Sequence, residues 1–269
     1  MPEGHTLHRL ARLHKRQYAG APVEVSSPQG RFAVEASKVD GQVLVGAEAY
    51  GKHLFHDYGP PGIVHVHLGL YGTFSDLKPP VTEPVGQVRM RMVGREHWTD
   101  LRGPNRCELL DAAQVDAIKA RLGPDPLRRD AKPDLAWERI SRSKVSVAVL
   151  LMDQAVLAGV GNVYRAEVLF RHGVAPMLPG KALDPALWKD IWADLVLLMR
   201  VGVRVGRIDT VRPEHLPKAT GRAPRVDRHG GEVYVYRRTG MPCLVCGTPI
   251  AHKDLAGRNL YWCPTCQPS

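Results

Sequence analysis

Four cysteines stand in two Cys-x-x-Cys pairs, Cys243/Cys246 and Cys263/Cys266, with sixteen residues between the pairs. That spacing lets two turns each present two thiolates to a single tetrahedral Zn²⁺. Four thiolates close the coordination shell and leave no position for water. The expected cofactor is therefore one structural Zn²⁺, which folds a segment too short to bury a core of its own and catalyses nothing. Cys107 lacks a partner at metal spacing and reads as a small buried residue.

The opening Met1-Pro2-Glu3-Gly4 holds different chemistry. With Met1 removed, Pro2 presents a secondary amine of α-amino type, with a reference pKa of about 8, so a useful fraction is neutral near pH 7. An amine that attacks a sugar C1′ forms an iminium, and the iminium stabilises the carbanion needed for strand scission. Glu3 stands beside it as a proton shuttle. Taken alone the motif says little, because many chains begin Met-Pro. In Gly51-Lys52-His53 a lysine follows a glycine turn at a strand edge. Near Pro2 it would depress the amine pKa and hold a phosphate; in isolation it is a solvated edge lysine. Gly159-Val160-Gly161-Asn162 leads into a helix, so Asn162 and nearby amides could hold a phosphate. No Gly-Lys-Ser/Thr follows, which argues against a nucleotide loop. Arg258, in Gly257-Arg258-Asn259, falls in the turn between the expected ribbon strands and would offer its guanidinium to a phosphate.

Around these residues the 269-residue chain divides into two packed units and a small appendage. From Val23 to about Val93, short alternating runs such as Ile63-Val64-His65-Val66-His67 predict strands, and Thr6 to Tyr18 has helical spacing. Leu122-Gly123-Pro124-Asp125-Pro126-Leu127 is a break, after which helix formers dominate, with a helix expected over Pro185–Val201. His215 to Gly231, rich in Arg, Pro and Gly, reads as a mobile basic loop. The expected domains are 1–122, 127–212, a basic loop over 213–240, and a ribbon over 241–269.

Thirty-seven Lys and Arg against 27 Asp and Glu give a formal charge of +10. Residues 201–269 hold 11 basic and 5 acidic side chains, so 11 − 5 = +6 of that charge lies on the last quarter. A polyanionic partner follows more naturally than mere solubility. No apolar run reaches the ~20 residues of a membrane span, and nothing at the start has the form of a secretory signal. A cytoplasmic location is expected.

Together, Met1-Pro2-Glu3-Gly4, Gly51-Lys52-His53, Gly159-Val160-Gly161-Asn162, and Arg258 with the four cysteines resemble the formamidopyrimidine-DNA glycosylase/endonuclease VIII family over the whole chain. The resemblance implies an α+β fold: an N-terminal β-sandwich with a leading helix, a helix-two-turns-helix domain, and a C-terminal zinc ribbon. It implies a monomeric bifunctional glycosylase/AP lyase of base excision repair acting on damaged DNA. A flipped-out nucleotide would be attacked by Pro2, with Glu3 protonating the sugar ring oxygen and β,δ-elimination following. Lys52, Asn162 and Arg258 match phosphate-gripping positions. His67-Leu68-Gly69-Leu70-Tyr71-Gly72 looks more like the endonuclease VIII wedge, so Leu70 and Tyr71 are the expected intercalators and oxidised pyrimidines the favoured lesions. Arg102 is the candidate contact to the orphaned base. The opening departs from the family at His5, usually proline, and at Thr6, where a second glutamate is common. Those departures keep a catalytically weak or dead DNA-binding paralogue open as the alternative. A tautomerase with an N-terminal proline would explain neither the thiolate pairs nor the basic tail.

Overall fold

The computed structural model describes residues 2–226 and 231–268, and the chain separates into two compact units, Met1–Arg121 and Leu122–Ser269. Met1 and residues 227–230 of the expected basic loop lie outside the described residues.

The first unit opens with α1 (Gly4–Tyr18), then β1 (Pro22–Ser26), α2 (Ala33–Val39), β2 (Gln42–Val43), β3 (Gly46–Tyr50), β4 (His53–Asp57), β5 (Ile63–His67), β6 (Thr73–Leu77), β7 (Val88–Val93), β8 (Trp98–Arg102), β9 (Arg106–Leu110) and α3 (Ala112–Ala120). Two antiparallel sheets form, in the orders β2-β1-β7-β8-β6 and β3-β4-β5-β9. Alternation sends Val23, Val25, Leu54, Val64, Val66, Met90 and Met92 into one core, and α1 adds Leu7, Ala11 and Tyr18 to it. The sandwich also encloses a polar strut. His14 of α1 bonds His56 of β4 (Nδ1···Nε2 2.9 Å) and Asp76 of β6 (Nε2···Oδ1 3.1 Å), joining helix and both sheets.

The second unit holds α4 (Pro133–Ser141), α5 (Val147–Leu150), α6 (Asn162–Arg171), α7 (Pro185–Val205), the one-turn α8 (Pro217–Thr220), and the hairpin of β10 (Ala251–Leu255) with β11 (Arg258–Trp262). Helix α7 starts where a starting signal predicts. The Asp184 carboxylate accepts from the N–H of Ala186 (2.8 Å) and of Leu187 (3.1 Å), and Pro185 needs no partner for a missing N–H. It runs four residues past the expected Val201, because Gly206 is the residue that takes the left-handed cap (φ 81°). Its buried stripe of Trp188, Ile191, Leu195, Met199 and Gly202 joins α6, which is buried almost throughout.

The segment 213–240 is not loop throughout. Val233 to Tyr236 are buried in the second core, and their backbone is pinned by one carboxylate. Glu167, fully enclosed on α6, accepts from the N–H groups of Tyr234 (2.7 Å), Val235 (2.8 Å) and Tyr236 (2.8 Å) and from the Thr210 hydroxyl (2.5 Å). A charge buried this deeply requires several donors at once, and consecutive backbone amides supply them. Composition alone hides this, since the donors are main-chain groups. Among the described residues no helix is long and apolar enough to cross a membrane.

Candidate nucleic-acid interface and active site

Helix α1 packs against β3 and β4. Lys15, near its C-terminal end, lines the same cavity as Gly46 and Glu48 at the start of β3, so helix and strand run in opposite directions. From Lys15 back to Gly4 is roughly 16 Å of helix, and from Gly46 to Lys52 roughly 20 Å of strand. The start of α1 therefore lies toward the Gly51-Lys52 turn. Pro2 there is half-buried, and Glu3 is fully buried as the helix N-cap, its carbonyl accepting from Thr6 N–H at 2.9 Å. A carboxylate at this position faces the positive end of the helix dipole.

The two departures from the family opening are both visible. Burial pulls His5 down to about 4, so it is neutral near pH 7, and its Nε2 lies 3.3 Å from the Thr6 hydroxyl. No acidic residue occupies the first turn of α1, which leaves Glu3 as the carboxylate at that helix end.

Strand pairing brings further residues to the same edge. His53, next to Lys52, pairs with His67 at the end of β5, and His67 pairs with Arg106 at the start of β9. Burial first, then His65 and the Lys52 ammonium, hold His67 below its ordinary pKa, and Lys52 adjoins His53, the register partner of His67. Beyond His67 the chain makes a tight loop closed by Gly72 N–H to Leu68 O at 3.0 Å. A Cβ on Gly72 would sit 2.3 Å from that same oxygen, and one on Gly69 (φ 67°) 2.9 Å from Asn105 Cβ, so both positions require glycine. The loop holds Leu70 at 41% and Tyr71 at 84% exposure. These two side chains are not core residues, and an aromatic ring that open is available to a ligand.

Arg102, expected at the orphaned base, has partners within its own unit. Its guanidinium donates to Asp100 (2.8 Å), to the Val85 carbonyl (3.1 Å) and to Ser75 Oγ (3.4 Å). Buried Asp100 needs both Arg91, which grips it at 2.7 and 2.9 Å, and Arg102, and burying a carboxylate without such pairing is costly. The arginine exposed at the loop edge is Arg106, its side chain 63% accessible; its place opposite His67 follows from register, which a motif search does not read.

In the second unit Asn162 opens α6 and is almost completely buried. Its amide donates to the Asn259 carbonyl at 3.0 Å, and Arg165 also donates to that carbonyl (3.2 Å) and to the Asn162 side-chain oxygen. The structure thus brings together the helix start and the first residues of β11, where exposed Arg258 stands just after the turn instead of in it. Sequence reading singled out both residues without linking them and missed Arg165.

The four cysteine Sγ atoms lie within 4.8 Å of one another, with Cys243–Cys266 at 3.9 Å and Cys246–Cys263 at 3.5 Å. A tetrahedron with Zn–S bonds of about 2.3 Å has edges of about 3.8 Å, so the set fits a closed Zn²⁺ shell. Cys107 is half-buried against the sandwich core, and burial raises its thiol to about 12.

Three family models match in order along the chain. They are the N-terminal domain of formamidopyrimidine-DNA glycosylase over residues 1–107, its H2TH domain over 122–213, and a zinc finger found in FPG and IleRS over 240–268. The chain is 57% identical over 274 residues to "Endonuclease 8 1" of Mycobacterium tuberculosis (strain ATCC 25618 / H37Rv), covering 99% of this chain and 100% of the relative. It is 30% identical over 282 residues to a formamidopyrimidine-DNA glycosylase of Bdellovibrio bacteriovorus, covering 99% and 98%. In fold it is similar to Lactococcus lactis Fpg in complex with abasic-site DNA (TM-score 0.79, 20% identity, 99% and 100% covered) and to MutM in complex with DNA containing carbocyclic 8-oxo-G (0.79, 20%, 100% of both). With all three domain types in place and a zinc-ribbon ligand set complete, the chain belongs to the formamidopyrimidine-DNA glycosylase/endonuclease VIII family, on its endonuclease VIII branch.

Proposed function

We propose that this chain is a bifunctional DNA glycosylase/AP lyase of base excision repair, working as a monomer on damaged DNA with Pro2 as its nucleophile. The supporting observation is the shared edge of the sandwich. The half-buried Pro2, the buried Glu3, the Lys52 turn and the exposed Leu70-Tyr71 loop all lie toward one end of the first unit. The wedge fills the space left by an everted nucleotide, and Lys52 holds a flanking phosphate. Glu3 protonates the sugar ring oxygen while the Pro2 nitrogen attacks C1′ and the base departs. The resulting iminium acidifies C2′, whose proton passes to water or to the Glu3 carboxylate left by the first step; the C2′–H electron pair becomes the C2′=C3′ bond as the 3′ phosphate leaves, and a second elimination releases the 5′ phosphate.

The second unit supplies the remaining grip through Asn162 and Arg258, displayed on an α6–ribbon junction that the zinc keeps folded. Arg106 is a better candidate than Arg102 for reaching the orphaned base, since it is exposed at the wedge edge. The Leu-Tyr wedge favours oxidised pyrimidines over 8-oxoguanine. The α1 start keeps Glu3 at the helix N-cap directly after Pro2, which favours the active reading over the weak or inactive paralogue.

Borohydride added during reaction with an abasic-site duplex is expected to trap a covalent protein–DNA adduct, and Pro2→Gly to abolish it. Undiminished trapping by Pro2→Gly removes Pro2 from the mechanism. Excision of thymine glycol is expected to exceed that of 8-oxoguanine opposite cytosine, and the reverse order overturns the lesion preference.

A further inference from the structure

Three residues on the outer face of the β3-β4-β5-β9 sheet form a hydrogen-bonded chain that neither the motifs nor the proposed chemistry uses. Glu108 Oε1 lies 3.0 Å from His65 Nδ1, and His65 Nε2 lies 2.8 Å from His53 Nδ1. The registers Phe55↔His65↔Glu108 and His53↔His67↔Arg106 place these side chains in two adjacent rows, and Phe55 stacks on His65.

The chain has a direction. A carboxylate can only accept, and Arg106 holds the other oxygen of Glu108 (3.6 Å), so His65 Nδ1 carries the proton. Neutral His65 then offers a lone pair at Nε2, and His53 must donate to it from Nδ1. In neutral His53 this leaves Nε2 as an acceptor. Burial favours the neutral rings: it lowers His65 against the opposing pull of Glu108, and it takes His53 down to about 3, with His65, His67, Arg121 and Arg106 adding to the effect. His53 and His67 have ring centroids 5.0 Å apart. The two hydrogen-bonded imidazole pairs of this unit lie at 5.1 Å (His53–His65) and 5.0 Å (His14–His56). His53 and His67 are thus as close as the bonded pairs, although their tilted rings (46°) make no hydrogen bond to each other in this conformation.

We propose that Glu108, His65 and His53 form a tautomer relay that presents a hydrogen-bond acceptor to His67 beside Lys52, making them positioning residues for the DNA grip. This rests on Lys52 lying in that grip, as proposed above. With a fixed acceptor on one side, the His67 ring is oriented by its own N–H, and its other nitrogen is turned toward whatever Lys52 holds. His65, at the centre of the relay, is buried, whereas Glu108 at its outer end keeps 34% of its side chain open to solvent, so the relay is preset from the periphery.

Nitrogen-15 NMR of the imidazoles in the full chain, free of DNA, tests the relay directly. His53 and His65 are expected as single neutral Nδ1–H tautomers, and Glu108→Ala should convert His53 to a mixture. A His53 proton on Nε2, or a cationic His65 near pH 7, overturns the proposal. Binding to a duplex with a tetrahydrofuran abasic analogue tests the consequence. Glu108→Ala, and His65→Phe with its ring stack kept, should weaken affinity about fivefold, while single-turnover cleavage of a natural abasic site at saturating enzyme is nearly unchanged. Glu108→Gln, whose amide oxygen still accepts from His65, should recover most of the lost affinity. Wild-type affinity in Glu108→Ala, or no recovery in Glu108→Gln, sinks the positioning role. Lys52→Ala separates the two readings: if it binds as wild type, the grip fails while the tautomer assignment stands on its own spectrum.

Discussion

The ribbon junction and the sandwich edge both offer basic side chains to a polyanion, yet they become ordered by opposite routes. All four thiolates fall between Cys243 and Cys266, and one ion can gather them. Pro2, Lys52, Tyr71 and Arg106 are spread over the first 106 residues and are drawn toward one end of the unit only by strand register and the packing of α1 on β3 and β4. The first arrangement is local and dominated by a few strong bonds. The second is distributed, so no single side chain holds it together.

Removal of the metal gives the largest expected effect and attacks the comparison at its base. Chelation, or Cys263→Ser, should unfold the β10–β11 hairpin and release the Asn259 carbonyl from Asn162, weakening duplex binding on the order of 100-fold. Zinc analysis with fluorescence anisotropy checks this. One zinc per chain is expected, and unchanged affinity after its loss would mean the ribbon is held by packing, as the sandwich is.

Glu167→Ala asks whether the second unit also depends on a non-local polar anchor. It leaves three buried N–H groups without their acceptor, and a loss of about 2–3 kcal/mol in a urea unfolding titration is expected. A loss below about 0.5 kcal/mol would show that the 233–236 segment is held by its aromatic packing instead.

Tyr71→Ala probes the sandwich edge where it is most exposed. Since the ring has few contacts of its own, stability should not change. Cleavage of lesion-bearing duplex should fall about tenfold, with a smaller effect on a duplex whose target is already mismatched. Equal loss of stability and activity would return Tyr71 to a packing role.

The smallest effect concerns pH. Burial holds His56 well below its ordinary pKa, so the stability it contributes is complete above about pH 6.5 and is lost as pH falls toward its folded value. His5 and His53, lowered to about 4 and about 3, act in the same direction. By linkage, about 1 kcal/mol should disappear between pH 6.5 and 5.5 for each histidine that stays neutral in the fold. His56→Phe should flatten the pH dependence of the thermal midpoint. An unchanged slope would mean that the His14–His56–Asp76 strut takes up a proton without cost.

Local signals were legible in advance: the thiolate spacing, the helix from about residue 6 to Tyr18 and the strand over 63–67. Each depends on neighbours within a few residues, where periodicity, turn glycines and metal spacing act directly. The same rules left the end of α7 four residues short, because a single left-handed glycine decides it. They took 213–240 for loop throughout, because a carboxylate some seventy residues earlier supplies its order.

By itself, the amino-acid sequence determined which groups the chain carries: a proline at position 2, proposed above as the nucleophile, an adjacent carboxylate, four thiolates and a basic surface. Only tertiary structure decided which residues meet. Strand register put Arg106 rather than Arg102 at the open edge, buried Asp100 took Arg102 for itself, and Arg165 joined Asn162 at the ribbon turn. The physical reason is that a side chain's charge is written in its residue type, whereas its partners are set by desolvation and pairing across the whole unit, and those are decided when the sheets and helices pack.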